Sequence, residues 1–132
     1  MIALDTNMIV RLVVEDDPAQ LKQTVHFVET HCSAENPGFI NRVTLCETIW
    51  VLKTGYGYSR AEIAAVIDRI AQTAHFAVED RDYVHAALDA FKSGGIDFAD
   101  ALVAGVNLAK GCEATATFDR KAAKLDGFVL VR

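Results

Sequence analysis

Short apolar runs alternate along the chain with longer stretches that have helical spacing. The first run, Ile2 to Leu4, leads directly into Asp5 and predicts a short strand buried on both faces, as in a parallel sheet. Four more short strands are predicted, the last of them at an edge of the sheet. They cover residues 39–40, 75–78, 114–118 and 128–131.

Segments with apolar residues every three or four positions separate these strands and predict helices. The helices are expected after Asn7, from Asp17-Pro18, from Thr44, from Ser59, around 84–91 and from Asp97. Strands that alternate with helices indicate parallel βαβ units. We therefore expect an α/β fold, a three-layer α/β/α sandwich with a central parallel sheet, in a single domain over residues 1–132.

Composition narrows the functional classes. Hydrophobic residues make up 52% of the chain, which excludes disorder, and a net charge of −5 argues against a broad nucleic-acid-binding surface. Contact with a nucleic acid must then be local or bridged by a cation. No signal peptide and no apolar run of about 20 residues is visible, so no membrane span is expected. Three cysteines without metal-ligand spacing fit reduced thiols in a cytoplasmic protein.

Five acidic residues occupy positions that a parallel sheet can bring together. Asp5 and Asp119 each end a predicted strand, and Glu47, Asp97 and Asp100 lie in the first turns of predicted helices. The carboxyl ends of parallel strands and the N-termini of the following helices share one edge of the sheet. We therefore expect the topology to gather these carboxylates.

Helix capping is the competing interpretation for most of these acids. Thr44-x-x-Glu47 matches a capping box, Asp97 and Asp100 can cap their helix, and Asp119 can cap a short helix over 120–124. Asp5 is the exception, because a charged group after an apolar strand is costly to bury without a partner.

A cluster of carboxylates requires compensation. Two like charges about 4 Å apart repel by ~4 kcal/mol at an effective dielectric near 20. No lysine or arginine lies within four residues of Asp5 on either side. Oxygen ligands without sulfur or imidazole favour Mg²⁺ or Mn²⁺, so a divalent cation is the expected partner.

Four segments together carry a resemblance to a known family. They are Leu4-Asp5-Thr6-Asn7, Glu47-Thr48-Ile49-Trp50-Val51-Leu52, Asp100-Ala101-Leu102-Val103-Ala104 and Thr117-Phe118-Asp119-Arg120. Their order and spacing resemble a PIN-domain ribonuclease of the VapC type, the toxin of type II toxin–antitoxin pairs. The resemblance implies a Mg²⁺- or Mn²⁺-dependent endoribonuclease that hydrolyses RNA phosphodiester bonds with a metal-activated water.

The resemblance also implies roles for individual residues. The catalytic acids would be Asp5, Glu47, Asp100 and Asp119, with Asp5, Asp100 and Asp119 as metal ligands and Asp97 as an additional or alternative third acid. Thr6, Asn7 and Thr117 would support the carboxylates. Arg120, Lys121 and Lys124 follow Asp119 and either contact RNA phosphates or form a solvated helix face.

The implied partners are a VapB-type antitoxin, an RNA substrate such as tRNA or rRNA, and a second copy of the chain in a homodimer. Trp50 lies on a helix with almost no polar side, which is either core or part of a groove for a partner. Other functions stay open at this point. They are a non-catalytic dimerisation or partner-binding module, a housekeeping RNA-processing nuclease and, less well matched because Asp-x-Asp is absent, a phosphatase with an aspartyl nucleophile.

Overall fold

In a computed structural model that describes all 132 residues, the chain divides into two compact units, residues 1–79 and 80–132. The first unit contains the helices and strands α1 (Thr6–Val14), α2 (Pro18–His31), β1 (Gly38–Ile40), α3 (Arg42–Tyr56), α4 (Arg60–Gln72) and β2 (Phe76–Val78). The second contains α5 (Arg81–Ser93), α6 (Phe98–Ala109), β3 (Thr115–Thr117), a 3-10 turn (Ala122–Lys124) and β4 (Phe128–Leu130).

Each unit has one pair of parallel strands. In the first unit β1 pairs with β2, with Gly38 opposite Phe76 and Ile40 opposite Val78. In the second unit β3 pairs with β4, with Thr115 opposite Phe128. Parallel pairing of strands that are separated by helices confirms the predicted α/β fold class and is consistent with α/β/α layering.

The predicted first strand is reduced to a single bridge. Ala3 pairs in parallel with Phe39, and the Leu4 amide donates to the Phe39 carbonyl at 2.8 Å. Leu4 is buried, but Ile2 is 37% exposed and Ala3 is also exposed. The prediction of a strand buried on both faces is therefore wrong, because within its unit this segment pairs with β1 alone.

Local capping chemistry sets the starts of most helices in the first unit. Asp17 accepts a hydrogen bond from the Gln20 amide at the start of α2, and Ser59 with Glu62 forms the predicted capping box of α4. The predicted start of α3 at Thr44 is wrong. Asn41 caps this helix by accepting from the Thr44 amide at 2.7 Å, so α3 begins at Arg42.

Each unit buries apolar side chains of its own helices. In the first unit, Ile9 on α1, Leu45 and Leu52 on α3 and Ile67 on α4 are almost fully buried. In the second unit, α5 packs along α6, and Phe91 meets Phe98 edge to face with ring centroids 6.5 Å apart. No helix has both the length and the apolarity needed to cross a membrane.

Gly38 in β1 is expected to tolerate no side chain. A methyl group at this position would lie 2.9 Å from Cys32 Sγ and 3.0 Å from Leu4 Cδ1, and both of these side chains are buried. Gly38→Ala should therefore lower the free energy of unfolding by about 1–3 kcal/mol, as measured by urea denaturation.

Gly55 provides the matched control. It lies in α3, and a methyl group added there would have no neighbouring atom closer than 3.9 Å, so Gly55→Ala should raise stability by about 0.5–1 kcal/mol. Equal effects of the two substitutions would contradict the tight packing of Leu4 and Cys32 against β1.

Candidate functional site

Asp5 is an exposed carboxylate at the start of α1. It is the N-cap residue of this helix, and its Oδ1 accepts a hydrogen bond from the Thr6 amide at 2.8 Å. The exemption of Asp5 from the capping interpretation is therefore wrong. Its second carboxylate oxygen accepts no hydrogen bond and is available to a ligand.

A groove of about 500 Å³ lies beside Asp5 in the first unit. The polar side chains that line it include Asn7 and Arg11 from α1 and Gln20 and Gln23 from α2. Arg11 is paired with Asp16 at 2.6 Å, and the other polar residues that line the groove with Asp5 are uncharged. Asn7 thus lies at the predicted place beside Asp5, while Thr6 is buried and contributes its backbone amide.

Glu47 is an exposed residue in the second turn of α3, not in the first turn as predicted. Because Asn41 caps this helix, the capping-box interpretation of Glu47 is wrong. Its carboxylate accepts no hydrogen bond, so local helix structure does not account for the acid. Val43 and Trp50 lie within one turn of Glu47 and are 71% and 65% exposed.

The second unit brings three of the predicted acids together. Asp97 is the N-cap residue of α6 and Asp100 is in its first turn, while Asp119 follows β3. Partial burial raises the pKa of the Asp100 carboxyl, and the charges of Asp97 and Asp119 raise it further. The Asp97 side chain makes no capping hydrogen bond, so capping does not explain its presence.

Asp119 is held by its own turn. Its Oδ1 accepts from the Lys121 amide at 2.8 Å and from the Ala122 amide at 3.5 Å. The predicted short helix over 120–124 is a 3-10 turn over Ala122–Lys124 whose N-cap residue is Lys121, so Asp119 is not its cap residue. Thr117 Oγ1 accepts from the Asp119 amide at 3.0 Å, so it fixes the backbone of this residue and not its carboxylate. Asp119 keeps Oδ2 free of hydrogen bonds.

The donor chemistry of the second unit suits a hard divalent cation. Asp97, Asp100 and Asp119 offer only carboxylate oxygens, and none of them forms an ion pair with a basic side chain. In neither unit do three or more His, Cys, Asp or Glu side chains form a group already arranged to hold a metal ion. Binding a cation would therefore require the carboxylates to turn toward it.

A family model for the PIN domain matches residues 2–128, which is nearly the whole chain. The chain belongs to the PIN-domain family. PIN domains are generally metal-dependent nucleases with an α/β fold. The chain has no significant match among curated proteins or among solved structures.

The PIN-domain surface around Asp119 contains residues that the sequence predicted and residues that it did not. Arg120, Lys121 and Lys124 are all exposed, which both an RNA-binding role and a solvated surface require. Phe118 and Arg132 were not predicted as functional, yet they line a groove together with Arg120. The sequence signal that could have identified Phe118 is its position between Thr117 and Asp119, two residues that were predicted to belong to the site.

The raised pKa of Asp100 predicts a pH-dependent cost to folding. A carboxyl group whose pKa is higher in the folded than in the unfolded chain stabilises the fold at pH values below its unfolded pKa. This contribution is lost as the pH rises through its folded pKa. Asp100→Asn should therefore raise stability at pH 7 by about 0.5 kcal/mol after solvent screening, with no gain near pH 3.

Asp89→Asn on α5 is the control for the general effect of removing an exposed acid. Urea denaturation of the two variants at pH 3 and pH 7 measures the difference. A gain for Asp100→Asn that is the same at both pH values would contradict the raised pKa that burial and the charges of Asp97 and Asp119 give to Asp100.

Proposed function

We propose that this PIN domain is a metal-dependent endoribonuclease that hydrolyses RNA phosphodiester bonds, and that it acts as the VapC-type toxin of a toxin–antitoxin pair. The observation that carries the nuclease proposal is the raised pKa of Asp100 beside Asp97 and Asp119. Partial burial and the charges of Asp97 and Asp119 disfavour ionisation of Asp100, which costs folding free energy at neutral pH, and no basic side chain pairs with any of the three. A function that requires a cation at these carboxylates explains why the chain keeps them together despite the cost in folding free energy.

The residues of the second unit would bind the cation. Asp100 and Asp119 are proposed as ligands, with Asp97 as an additional carboxylate, and Asp5 of the first unit is proposed to act with them. A bound Mg²⁺ or Mn²⁺ would supply Lewis acidity toward the phosphoryl group and lower the pKa of water. Thr117 supports this set by holding the Asp119 backbone.

The remaining predicted residues have roles that need no metal contact. Glu47 is proposed to orient the attacking water and accept its proton, because its carboxylate is exposed and has no hydrogen-bond partner. Thr6 fixes one oxygen of Asp5 through its amide, and Asn7 is proposed to support the same carboxylate from the groove. Arg120, Lys121 and Lys124 are proposed to neutralise RNA phosphates on a chain of net charge −5.

A second candidate function is partner binding, with or without catalysis. Trp50 is 65% exposed, so it is not the ordinary core residue that was one of its two interpretations. Val43 and Trp50 form an exposed apolar face on α3 next to Glu47. We propose that a VapB-type antitoxin covers this face, and that the chain also forms a homodimer. A housekeeping role in RNA processing is the alternative to toxicity.

The nuclease proposal predicts that single acids are essential. Asp5→Ala and Asp100→Asn should each lower cleavage of RNA by roughly 100-fold or more, because transition-state charge loses its stabilisation. Sequencing of RNA 5′ ends after induction of wild type and each variant identifies the cleaved RNA, and Asp89→Asn should cleave as wild type does. Unchanged cleavage by purified Asp100→Asn protein, or by wild type in excess EDTA, would refute metal-dependent hydrolysis.

The partner proposal predicts burial of the exposed face of α3. Adding the cognate antitoxin should shift the fluorescence of Trp50, the single tryptophan, and slow hydrogen exchange across residues 45–58. Val43→Asp should weaken the complex while leaving the fold intact, because Val43 is 71% exposed. Binding with no change in either signal would place the partner elsewhere.

A further inference from the structure

Phe118 is an aromatic side chain with no structural role in its own unit. It is 82% exposed, which is the highest value among the large apolar side chains. β3 ends at Thr117, so Phe118 lies in the turn that leads to Asp119. An aromatic ring left in water beside a proposed catalytic acid suggests that a ligand covers it.

Phe118 lines a groove of about 580 Å³ together with Leu130, Val131 and two arginines, Arg120 and Arg132. The backbone joins the two sides of this groove, because the Val131 amide donates to the Thr117 carbonyl at 2.8 Å. Neither arginine forms an ion pair or a side-chain hydrogen bond within the chain. Two uncompensated guanidinium groups thus flank an exposed ring on a protein of net charge −5.

We propose that this surface, the Phe118 groove, binds a nucleotide of single-stranded RNA. Phe118 stacks on the nucleobase, and Arg120 and Arg132 bind the phosphates on either side of it. This inference deepens the proposed function, because it assigns a binding subsite for single-stranded substrate directly beside Asp119.

Charge and shape favour RNA over a protein segment as the occupant. Aromatic rings flanked by arginines are the combination with which proteins hold unpaired bases, since every base has a face for stacking and every linkage has a negative charge. The apolar wall of the groove is short, because beside the ring it consists of the half-buried Leu130 and the exposed Val131 alone. A helix or strand of a protein partner would need a longer apolar surface.

The test measures binding of a fluorescein-labelled, 12-nucleotide single-stranded RNA by anisotropy. All the proteins compared in this test carry Asp5→Ala, a substitution in the first unit that removes the proposed RNA cleavage. Phe118→Ala should weaken binding about 10-fold, and Phe118→Tyr should restore it to within about two-fold. A fully paired RNA of the same sequence should bind with the same affinity to the Phe118→Ala and parent proteins, because its bases are not free to stack.

The contribution of the arginines is measured separately, through the salt dependence of RNA binding. Arg132→Ala should lower the slope of log affinity against log salt by about 0.7, the value for one phosphate contact on a single strand. Lys110→Ala and Val129→Ala, at an exposed basic and an exposed apolar residue outside the groove lining, are the controls and should leave affinity and slope unchanged.

A direct signal comes from Phe118→Trp in a Trp50→Phe background, which leaves one tryptophan in the groove. Stacking on a base should quench its fluorescence on addition of RNA. If Phe118→Ala binds single-stranded RNA with unchanged affinity, or a protein partner but not RNA quenches the tryptophan, the inference is overturned. If Phe118→Ala binds single-stranded RNA with unchanged affinity, cleavage of RNA by the wild-type protein would still support the nuclease proposal. If the wild-type protein binds RNA through Phe118 but does not cleave it, the nuclease proposal is refuted and the proposed subsite is retained.

Discussion

The disfavoured ionisation of Asp100, which is partly buried beside Asp97 and Asp119, is the constraint on which the functional interpretation depends. The pKa of Asp100 is raised first by partial burial and then by its two acidic neighbours, and no basic side chain pairs with any of the three. A folded chain gains nothing from such an arrangement by itself. A divalent cation bound by the three carboxylates would offset this repulsion, and it is the ligand that their oxygen atoms suit best.

Backbone amides hold two of the predicted acids, Asp5 in the first unit and Asp119 in the second. Asp5 accepts from the Thr6 amide at a helix N-terminus, and Asp119 accepts from the amides of its following turn. In each residue one carboxylate oxygen accepts a hydrogen bond and the other accepts none, so the carboxylate is oriented and still has an oxygen that can bind a ligand. A hydrogen bond from a backbone amide and a contact with a ligand are therefore compatible for Asp5 and for Asp119. Glu47 differs, because it lies in the second turn of α3 and its carboxylate accepts no hydrogen bond.

Features that depend on a few neighbouring residues were predictable from the sequence. The starts of α2 and α4 follow from Asp17-Pro18 and from the Ser59–Glu62 capping box, whose donors and acceptors lie within three residues of each other. The start of α3 was mispredicted because Asn41 and Thr44 are both good caps, and local preference does not choose between them. The approach of Asp119 to Asp100 was predictable in kind, since it follows from parallel βα topology.

Features that depend on pairing and exposure were not predictable. Ile2 to Leu4 has the composition of a buried strand, but its extent is set by how many partners pair with it, and only Ala3 forms a bridge. Phe118 resembles a core residue at the end of a predicted strand, and Trp50 resembles one within an apolar helix, yet both are mostly exposed. Apolar composition shows that a residue can be buried, and only the packed chain shows whether it is.

The central claim is that the acids of the second unit bind a divalent cation, and paramagnetic broadening of NMR signals by Mn²⁺ tests it without any substrate. Titration of the wild-type chain should broaden the amide signals of Asp97, Asp100 and Asp119 first, and Mg²⁺ should compete the broadening away. The Asp100→Asn variant should need a markedly higher Mn²⁺ concentration for the same effect. Equal broadening of all exposed acids, such as Asp89 and Asp126, or an unchanged response in Asp100→Asn, would contradict the account.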